Sequence, residues 1–374
     1  MIKQLDLSAH DSGLREEILH KVQQVFETQQ FVLGCFVDEF ERACEAYLDV
    51  RHAVAVASGS DALYLSLMAM GIKRGDRVIT TPFTFFATVS AITRLGAFPV
   101  FVDIEPDTFN IAGKGIEQAL KRHRGIKAIL PVHLYGRSAD MEAITGLAKE
   151  YGVRVVEDAA QAFGARCVLD HGFRKAGTVG DAGCFSFYPT KNLGAAGDAG
   201  MVVTNDDRIA GLLRMLRVHG SPERYLHTHP GINSRMDGLQ AAVLSVKLGH
   251  IERWNHTRME LARRYTEMFR DRGLDRVITL PEVPEDATHI FHQYTIRVRD
   301  RDTLREALRK DGIGTEVYYP IPLHLQPVFR YLKYRKGSFR QAEVAAQQVL
   351  SLPLYPELSE DQQREIVDAL QRHL

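Results

Sequence analysis

Five short apolar runs, each followed by a turn and a helix-length stretch, constrain the fold of this 374-residue chain more than any other feature of it. The first, Ala53 to Ser58, leads through Gly59-Ser60-Asp61 into a helical pattern of Leu63, Leu67 and Met70. Runs at Val78 to Thr80, Phe98 to Ile104, Ala128 to Leu134 and Val153 to Glu157 repeat the unit, separated by stretches such as Met141 to Tyr151. Apolar strands alternating with helices predict an α/β fold, with a mostly parallel sheet covered on both faces. In such a sheet ligands gather beyond the carboxyl ends of the strands, so the residues just after each run are the first candidates for chemistry.

The pattern changes beyond the middle of the chain. Met236, Leu239, Val243 and Val246 are spaced by three and four, and Trp254, Leu261, Tyr265 and Met268 resume a helical stripe. Ile290 to Val298 and Thr315 to Tyr319 then read as strands, and Ser359 with Gln362 forms a capping box ahead of a last helix to Leu374. The expected organisation is a large domain over 1–245, N-terminal arm included, and a smaller C-terminal α+β domain over 246–374. With no Pro/Gly/Ser linker or low-complexity tract, the two are expected to pack rigidly.

Forty-seven basic residues balance 47 acidic ones, so no strong field is available to recruit a nucleic acid or an anionic membrane, and neither is expected as a partner. The first residues lack an apolar signal core and no uncharged apolar run approaches bilayer length; a cytoplasmic location is the expectation. Cys35, Cys44, Cys167 and Cys184 follow no CxxC or His-x-Cys spacing and read as small core thiols rather than disulfide or zinc cysteines. His219, His227 and His229 cluster beside Thr228 and Pro230 in a loop-like stretch, and no metal site is expected.

Three segments carry chemistry. Ser58-Gly59-Ser60-Asp61 offers backbone N–H groups, a hydroxyl and a positive helix end to a phosphate, although read alone such a segment is more often only an N-cap. Asp158 ends a strand beside the small residues Ala159 and Ala160, fit either to lie under a flat ligand or to cap a loop. Lys191 lies in Phe185-Ser186-Phe187-Tyr188-Pro189-Thr190-Lys191-Asn192-Leu193-Gly194, flanked by proline and glycine rather than on an amphipathic helix. Alone it is a surface charge. Together the three supply what pyridoxal phosphate needs: an imine-forming amine, a partner for the pyridinium and a phosphate cradle. A buried carboxylate favours the protonated ring nitrogen, and desolvation makes a lysine nucleophilic and able to shuttle a proton.

In order along the chain, five motifs resemble the nucleotide-sugar aminotransferases of the DegT/DnrJ/StrS type: Ala57 to Leu63, Thr81-Pro82-Phe83-Thr84-Phe85-Phe86-Ala87-Thr88, Glu157 to Gln161, Ser186 to Gly200, and Gly231 to Asp237 leading to Gln240. The resemblance runs from near Leu5 to the C-terminus. It implies the PLP-dependent transferase fold type I, with pyridoxal 5'-phosphate as cofactor, passing through pyridoxamine phosphate. By likeness, Lys191 and Asp158 are catalytic, Phe85 stacks on the ring, Gln161 lies near the phenolic oxygen, and Gly59, Ser60, Asp61 and Ser186 belong to the phosphate site. Asn233 matches a residue that reaches the phosphate of the opposite subunit, which implies a homodimer with shared active sites.

Substrate contacts are expected from Tyr188, Tyr225, Arg235, Tyr318, Tyr319 and His324, the last three in Tyr318-Tyr319-Pro320-Ile321-Pro322-Leu323-His324, which is similar to the family's substrate loop. Tyr188-Pro189-Thr190-Lys191-Asn192-Leu193-Gly194 followed by Gly197-Asp198 resembles members that aminate C3 of a keto-sugar, and Phe163 resembles those acting on UDP-N-acetyl rather than dTDP-6-deoxy sugars. The implied reaction moves an amino group from glutamate to a 3-keto nucleotide sugar, for surface polysaccharide or lipid A-like glycan synthesis. The alternatives are a C4 aminotransferase, a sugar dehydratase, which would carry histidine in place of Lys191, and a regulatory homologue without turnover.

Overall fold

The computed structural model describes residues 1–8, 12–284 and 288–374. Helices α1 (Arg15–Thr28) and α2 (Cys35–Leu48) precede strand β1 (His52–Val56). Alternation follows as the sequence demands: α3 (Gly59–Ala69), β2 (Arg77–Thr80), α4 (Phe86–Arg94), β3 (Phe98–Phe101), α5 (Gly113–Arg122), β4 (Ile126–Ile129), α6 (Met141–Tyr151) and β5 (Arg154–Asp158). A hairpin of β6 (Arg166–Leu169) and β7 (Gly172–Lys175) leads to β8 (Ala182–Ser186), β9 (Gly200–Thr204) and α7 (Asp207–Leu216). The rest comprises α8 (Gly238–Leu248), α9 (Ile251–Asp271), β10 (Tyr294–Arg297), α10 (Arg301–Lys310), α11 (Arg340–Gln348), β11 (Val349–Leu352) and α12 (Glu360–His373).

Seven strands form one sheet in the order β1-β9-β8-β5-β4-β2-β3, in which β9 alone runs against its neighbours. Strand residues alternate between two cores, as a two-residue side-chain period requires. Ala53, Ala55, Ile79, Val155, Met201 and Val203 pack on one face with α2 and α8; Val54, Val56, Val78, Val156 and Val202 pack on the other with α3 and α7. A separate core, built on Tyr265, Phe269, Tyr294, Leu350, Leu352, Ile366 and Leu370, serves the C-terminal α+β unit. The long α9 joins the two: Ile251 and Trp254 lie in the first core, Leu261 to Phe269 in the other. Ile2 also packs in the C-terminal core and bridges to Ile313.

Several strands are shorter than their apolar runs. β4 stops at Ile129 because Pro131 has no N–H to continue a ladder. The run from Ile290 becomes strand only at Tyr294, since Phe291 takes a left-handed φ of 48°. Thr315 to Tyr319 is not a strand; a single bridge, Glu316 to Ser351, precedes the turn into Pro320 and Pro322. Ser359 and Gln362 close the expected capping box on α12. Among the described residues no helix is long and apolar enough to cross a membrane.

Candidate active site

Three backbone segments converge where β1, β5 and β8 end and the reversed β9 begins. Val56 and Ser186 both pair with Gly200, and Cys184 pairs with Asp158. The approach leaves no room for side chains: a Cβ on Gly200 would lie 2.3 Å from the Ser58 carbonyl carbon, and one on Gly59 would lie 2.6 Å from Cβ of Ser186. Ser58 caps α3, its Oγ accepting from the Asp61 amide at 3.2 Å. The result is a small concave rim at a helix N-terminus, edged by Gly59, Ser60 and Ser186, that suits a phosphate.

Asp158 ends β5 and is fixed on both sides of its backbone: its N–H donates to Pro131 and its carbonyl accepts from His133. The side chain is buried. Thr88 Oγ1 donates to Oδ2 at 2.7 Å, and the Ala160 amide donates to Oδ1 at 3.2 Å. Because the Thr88 hydroxyl is committed to the carboxylate, Thr84, at 2.9 Å from it, must donate to Thr88 in turn. Burial still raises the Asp158 pKa, with these donors and Lys191 pulling the other way. A carboxylate held uncomfortably dry and only partly compensated is suited to a cationic ring nitrogen.

Lys191 closes a turn through its own N–H to Tyr188 O at 2.8 Å. Burial pushes its amine down to about 8, against the opposing pull of Asp158. At neutral pH a useful fraction is therefore free amine. Both groups line one cavity of about 590 Å³. Gln161 is oriented by two contacts, Oε1 accepting from the Tyr135 amide at 2.7 Å and Nε2 donating to the Tyr319 hydroxyl at 3.2 Å. Phe85, at the start of α4, leaves its ring 57% exposed although apolar, tilted 6.1 Å from Tyr319.

Of the residues singled out from sequence, Gly59, Ser60, Phe85, Asp158, Gln161, Ser186, Tyr188, Lys191, Tyr318 and Tyr319 share this cavity. Others lie elsewhere. Asp61 faces Arg94 at 3.8 Å. Asn233 is exposed beside its bridge to Val218, and Arg235 is half-buried with Nε unpartnered among the described residues. Tyr225 projects from a loop, 81% exposed at a left-handed φ of 67°. His324 is buried outside the cavity wall, its Nε2 at 3.0 Å from Glu343 and its ring edge-on to Phe339. Phe163 stacks on Tyr47 and meets Phe185 and Phe187 edge-on in the core, and it is not among the residues lining the cavity.

Sequence reasoning missed Thr88, His133, Glu157 and His292. Thr84 and Thr88 were signalled by i,i+4 spacing; His292-Gln293 was signalled as a polar pair inside an apolar run. His133, Glu157 and Cys167 bring potential ligand atoms within 4.8 Å, the one such cluster found among the described residues. Glu157 is already saturated, however: Oε2 takes His133 Nε2 and the Gly177 amide, both at 2.8 Å, and Oε1 takes the Val179 and Gly180 amides at 2.7 and 2.6 Å. The Ala139 amide donates to His133 Nδ1 at 2.9 Å, so the imidazole hydrogen sits on Nε2.

Comparison with known proteins agrees with this chemistry. Residues 13–371 match the model of the DegT/DnrJ/EryC1/StrS aminotransferase family. A Geobacillus stearothermophilus protein named a pleiotropic regulatory protein is 48% identical, with 99% of this chain and 97% of the relative covered. The UDP-N-acetyl-3-dehydro-alpha-D-glucosamine 3-aminotransferase of Acidithiobacillus ferrooxidans is 44% identical, covering 100% of this chain and 98% of that one. The crystal structure of Streptomyces venezuelae DesV in complex with a ketimine intermediate superposes with a TM-score of 0.93 at 41% identity, over 99% and 98% of the two chains.

Proposed function

The chain belongs to the DegT/DnrJ/EryC1/StrS aminotransferase family and is a pyridoxal-phosphate-dependent transaminase; from that premise we propose that it transfers the amino group of glutamate to C3 of a UDP-linked N-acetyl 3-keto sugar. One observation carries the chemistry: a buried lysine, its amine easier to deprotonate than in water, and a buried carboxylate share a cavity with the turn at Gly59, Ser60 and Ser186. Gly59 and Gly200, where an added Cβ would collide with Ser186 and Ser58, let the backbone close up around the helix start so that its amides can face a small anion, and the donor set fits the cofactor. When bound, pyridoxal phosphate supplies an electron sink for amino-group transfer.

The chain's own residues do the rest. The amides at Gly59 and Ser60 with the Ser186 hydroxyl would hold the phosphate, Asp158 the ring nitrogen and Phe85 the ring face. Gln161 would meet the phenolic oxygen. Lys191 would hold the cofactor and, once displaced, carry a proton on Nζ.

The lysine segment Tyr188 to Gly194 supports amination at C3, and the relative from A. ferrooxidans, named for a UDP-N-acetyl 3-keto substrate, supports the nucleotide and the C2 substituent. A place in glycan synthesis, in the cytoplasm where nucleotide sugars are made, follows from that substrate class. Exposed Asn233 and Tyr225, with the bare apolar side chains of Phe26, Val32 and Leu226, support a homodimer in which each subunit completes the other's site. The intact Lys191 argues for turnover rather than a purely regulatory role, whatever the Geobacillus relative is named for.

The test is single turnover of the amine form of the cofactor on the enzyme with UDP- and dTDP-linked 3-keto sugars and their 4-keto isomers. The UDP-N-acetyl 3-keto sugar is expected to react at least tenfold faster in kcat/KM, about 1.4 kcal/mol. Preference for a 4-keto or dTDP substrate would overturn the assignment.

A further inference from the structure

Asn192, the residue after Lys191, belongs to a buried polar chain that aminotransfer as described leaves unused. Its far end is a backbone carbonyl: Asn255 Nδ2 donates to Phe163 O at 3.0 Å. The Asn255 oxygen must then face Asn192, which donates to it through Nδ2 at 2.8 Å. That leaves Asn192 Oδ1 facing Nδ1 of His292 at 3.1 Å. A carbonyl oxygen only accepts, so Nδ1 carries the imidazole hydrogen. Each amide orientation is forced by the one before it.

His292 lines the same cavity as Lys191. With Nδ1 committed, Nε2 offers a bare lone pair and makes no hydrogen bond among the described residues. Protonation of the ring is opposed by burial first, then by the charges facing it, Lys191 from the lysine loop and Arg258 from α9. Arg258 is itself spent on the carbonyls of Phe291 and Leu354. Lys191 has Asp158 as its charged neighbour.

We propose that His292 is a positioning residue for Lys191: the Asn255-Asn192 chain fixes its Nδ1–H tautomer and leaves Nε2 an unpartnered neutral acceptor on the wall of the same cavity, placed to take a hydrogen bond from the amine as it turns there during the reaction. A neutral acceptor suits an amine that must lose its proton to react. A second carboxylate in that place would bind the ammonium form and raise its pKa, as the Asp158 charge already does. Asn255 lies on α9, which spans both cores, and His292 lies just ahead of β10, so the chain ties the lysine loop to the C-terminal unit.

The inference rests on Lys191 being the reacting amine, and its test separates the two. In His292→Asn the amide keeps a donor for Asn192 and removes the acceptor; in His292→Gln an acceptor is kept near Nε2. In the holoenzyme, His292→Asn is expected to lower kcat by about 10- to 100-fold while KM for the keto-sugar changes by less than about twofold, because misaiming affects the reacting state rather than substrate binding. His292→Gln should recover part of that loss. In cofactor-free protein, acylation of Lys191 followed by peptide mass spectrometry should titrate at lower pH in His292→Asn, since the ammonium form has lost an acceptor. Wild-type kcat and an unmoved titration in His292→Asn would overturn the proposal. So would equal losses in the two variants that track melting temperature or cofactor occupancy, which would make His292 a packing residue. Lys191→Ala run alongside distinguishes the failures: retained turnover there sinks the functional reading, whereas an inactive Lys191→Ala beside fully active His292 variants sinks only the role of His292.

Discussion

Replacing Glu157 by glutamine tests whether the residue behind Asp158 is the anchor of the strand end. Its two carboxylate oxygens receive four donors, His133 Nε2 and the amides of Gly177, Val179 and Gly180, two on each oxygen. Glutamine keeps one oxygen and puts an NH₂ in place of the other, so whichever way the amide turns, two buried donors face a donor. Each unsatisfied group costs about 1–3 kcal/mol, which places the loss at about 2–6 kcal/mol, a large part of the usual stability of a domain. The pH dependence adds a second signature. Burial works against the carboxylate, but His133 and the Gly180 and Gly177 amides outweigh it and hold its pKa below the ordinary 4.5. A depressed folded-state pKa stabilises fully above the unfolded value and the gain is lost as pH falls through the folded one. Urea unfolding of cofactor-free Glu157→Gln, followed by circular dichroism, should therefore show a constant deficit from pH 8 to about 5 that narrows below about 4.5. A deficit under about 1 kcal/mol, or one that does not narrow in acid, would refute the saturated-carboxylate account.

Three other substitutions or titrations follow from the same geometry. Gly200→Ala should weaken retention of pyridoxal phosphate in equilibrium dialysis by more than tenfold, because its Cβ would sit 2.3 Å from Ser58; Gly146→Ala, in open space within α6, should instead stabilise by up to about 1 kcal/mol, and equal effects would contradict the cradle. Thr88→Val removes the hydroxyl donor from Asp158, raising its pKa further; fluorescence titration should find cofactor affinity lower by about 10- to 100-fold, the worth of a hydrogen bond to a charged group, and unchanged affinity would remove Thr88 from the site. In cofactor-free wild-type protein, acylation of Lys191 should rise with pH through a midpoint near 8 and level off by about pH 9.5, since burial frees the amine well below the ordinary 10.5. A profile still rising steeply past pH 10 would mean an ordinary, solvated lysine.

Much of the fold was legible because strand–turn–helix units write their own punctuation. The run before Ser58-Gly59-Ser60 becomes β1 and a capped α3, and Met141 to Tyr151 becomes α6 residue for residue. Strand ends were less legible where a backbone constraint cut an apolar run short, as at Pro131 and the left-handed Phe291. The reversal of β9 left no mark on its composition, since Gly200 to Thr204 is as apolar as the parallel strands. In the site, local motifs pointed to residues that one short segment delivers, Lys191, Asp158 and Ser186 among them. They did not reveal contacts assembled across long separations, such as Asn192 with His292 or Gln161 with Tyr319. Nor did the residue type of Phe163, which resembles a substrate subgroup, show that its ring packs in the core.

The central claim is that Lys191 is the amine through which this chain transfers nitrogen. Borohydride reduction of the cofactor-loaded wild-type protein, followed by peptide mass spectrometry, should place the cofactor's mass on Lys191 alone. Lys191→Ala should carry no such adduct and lose at least 10³-fold in transamination rate, in line with removal of a nucleophile that also handles the proton. An adduct on another lysine, or a Lys191→Ala protein that turns over at the wild-type rate, would contradict it.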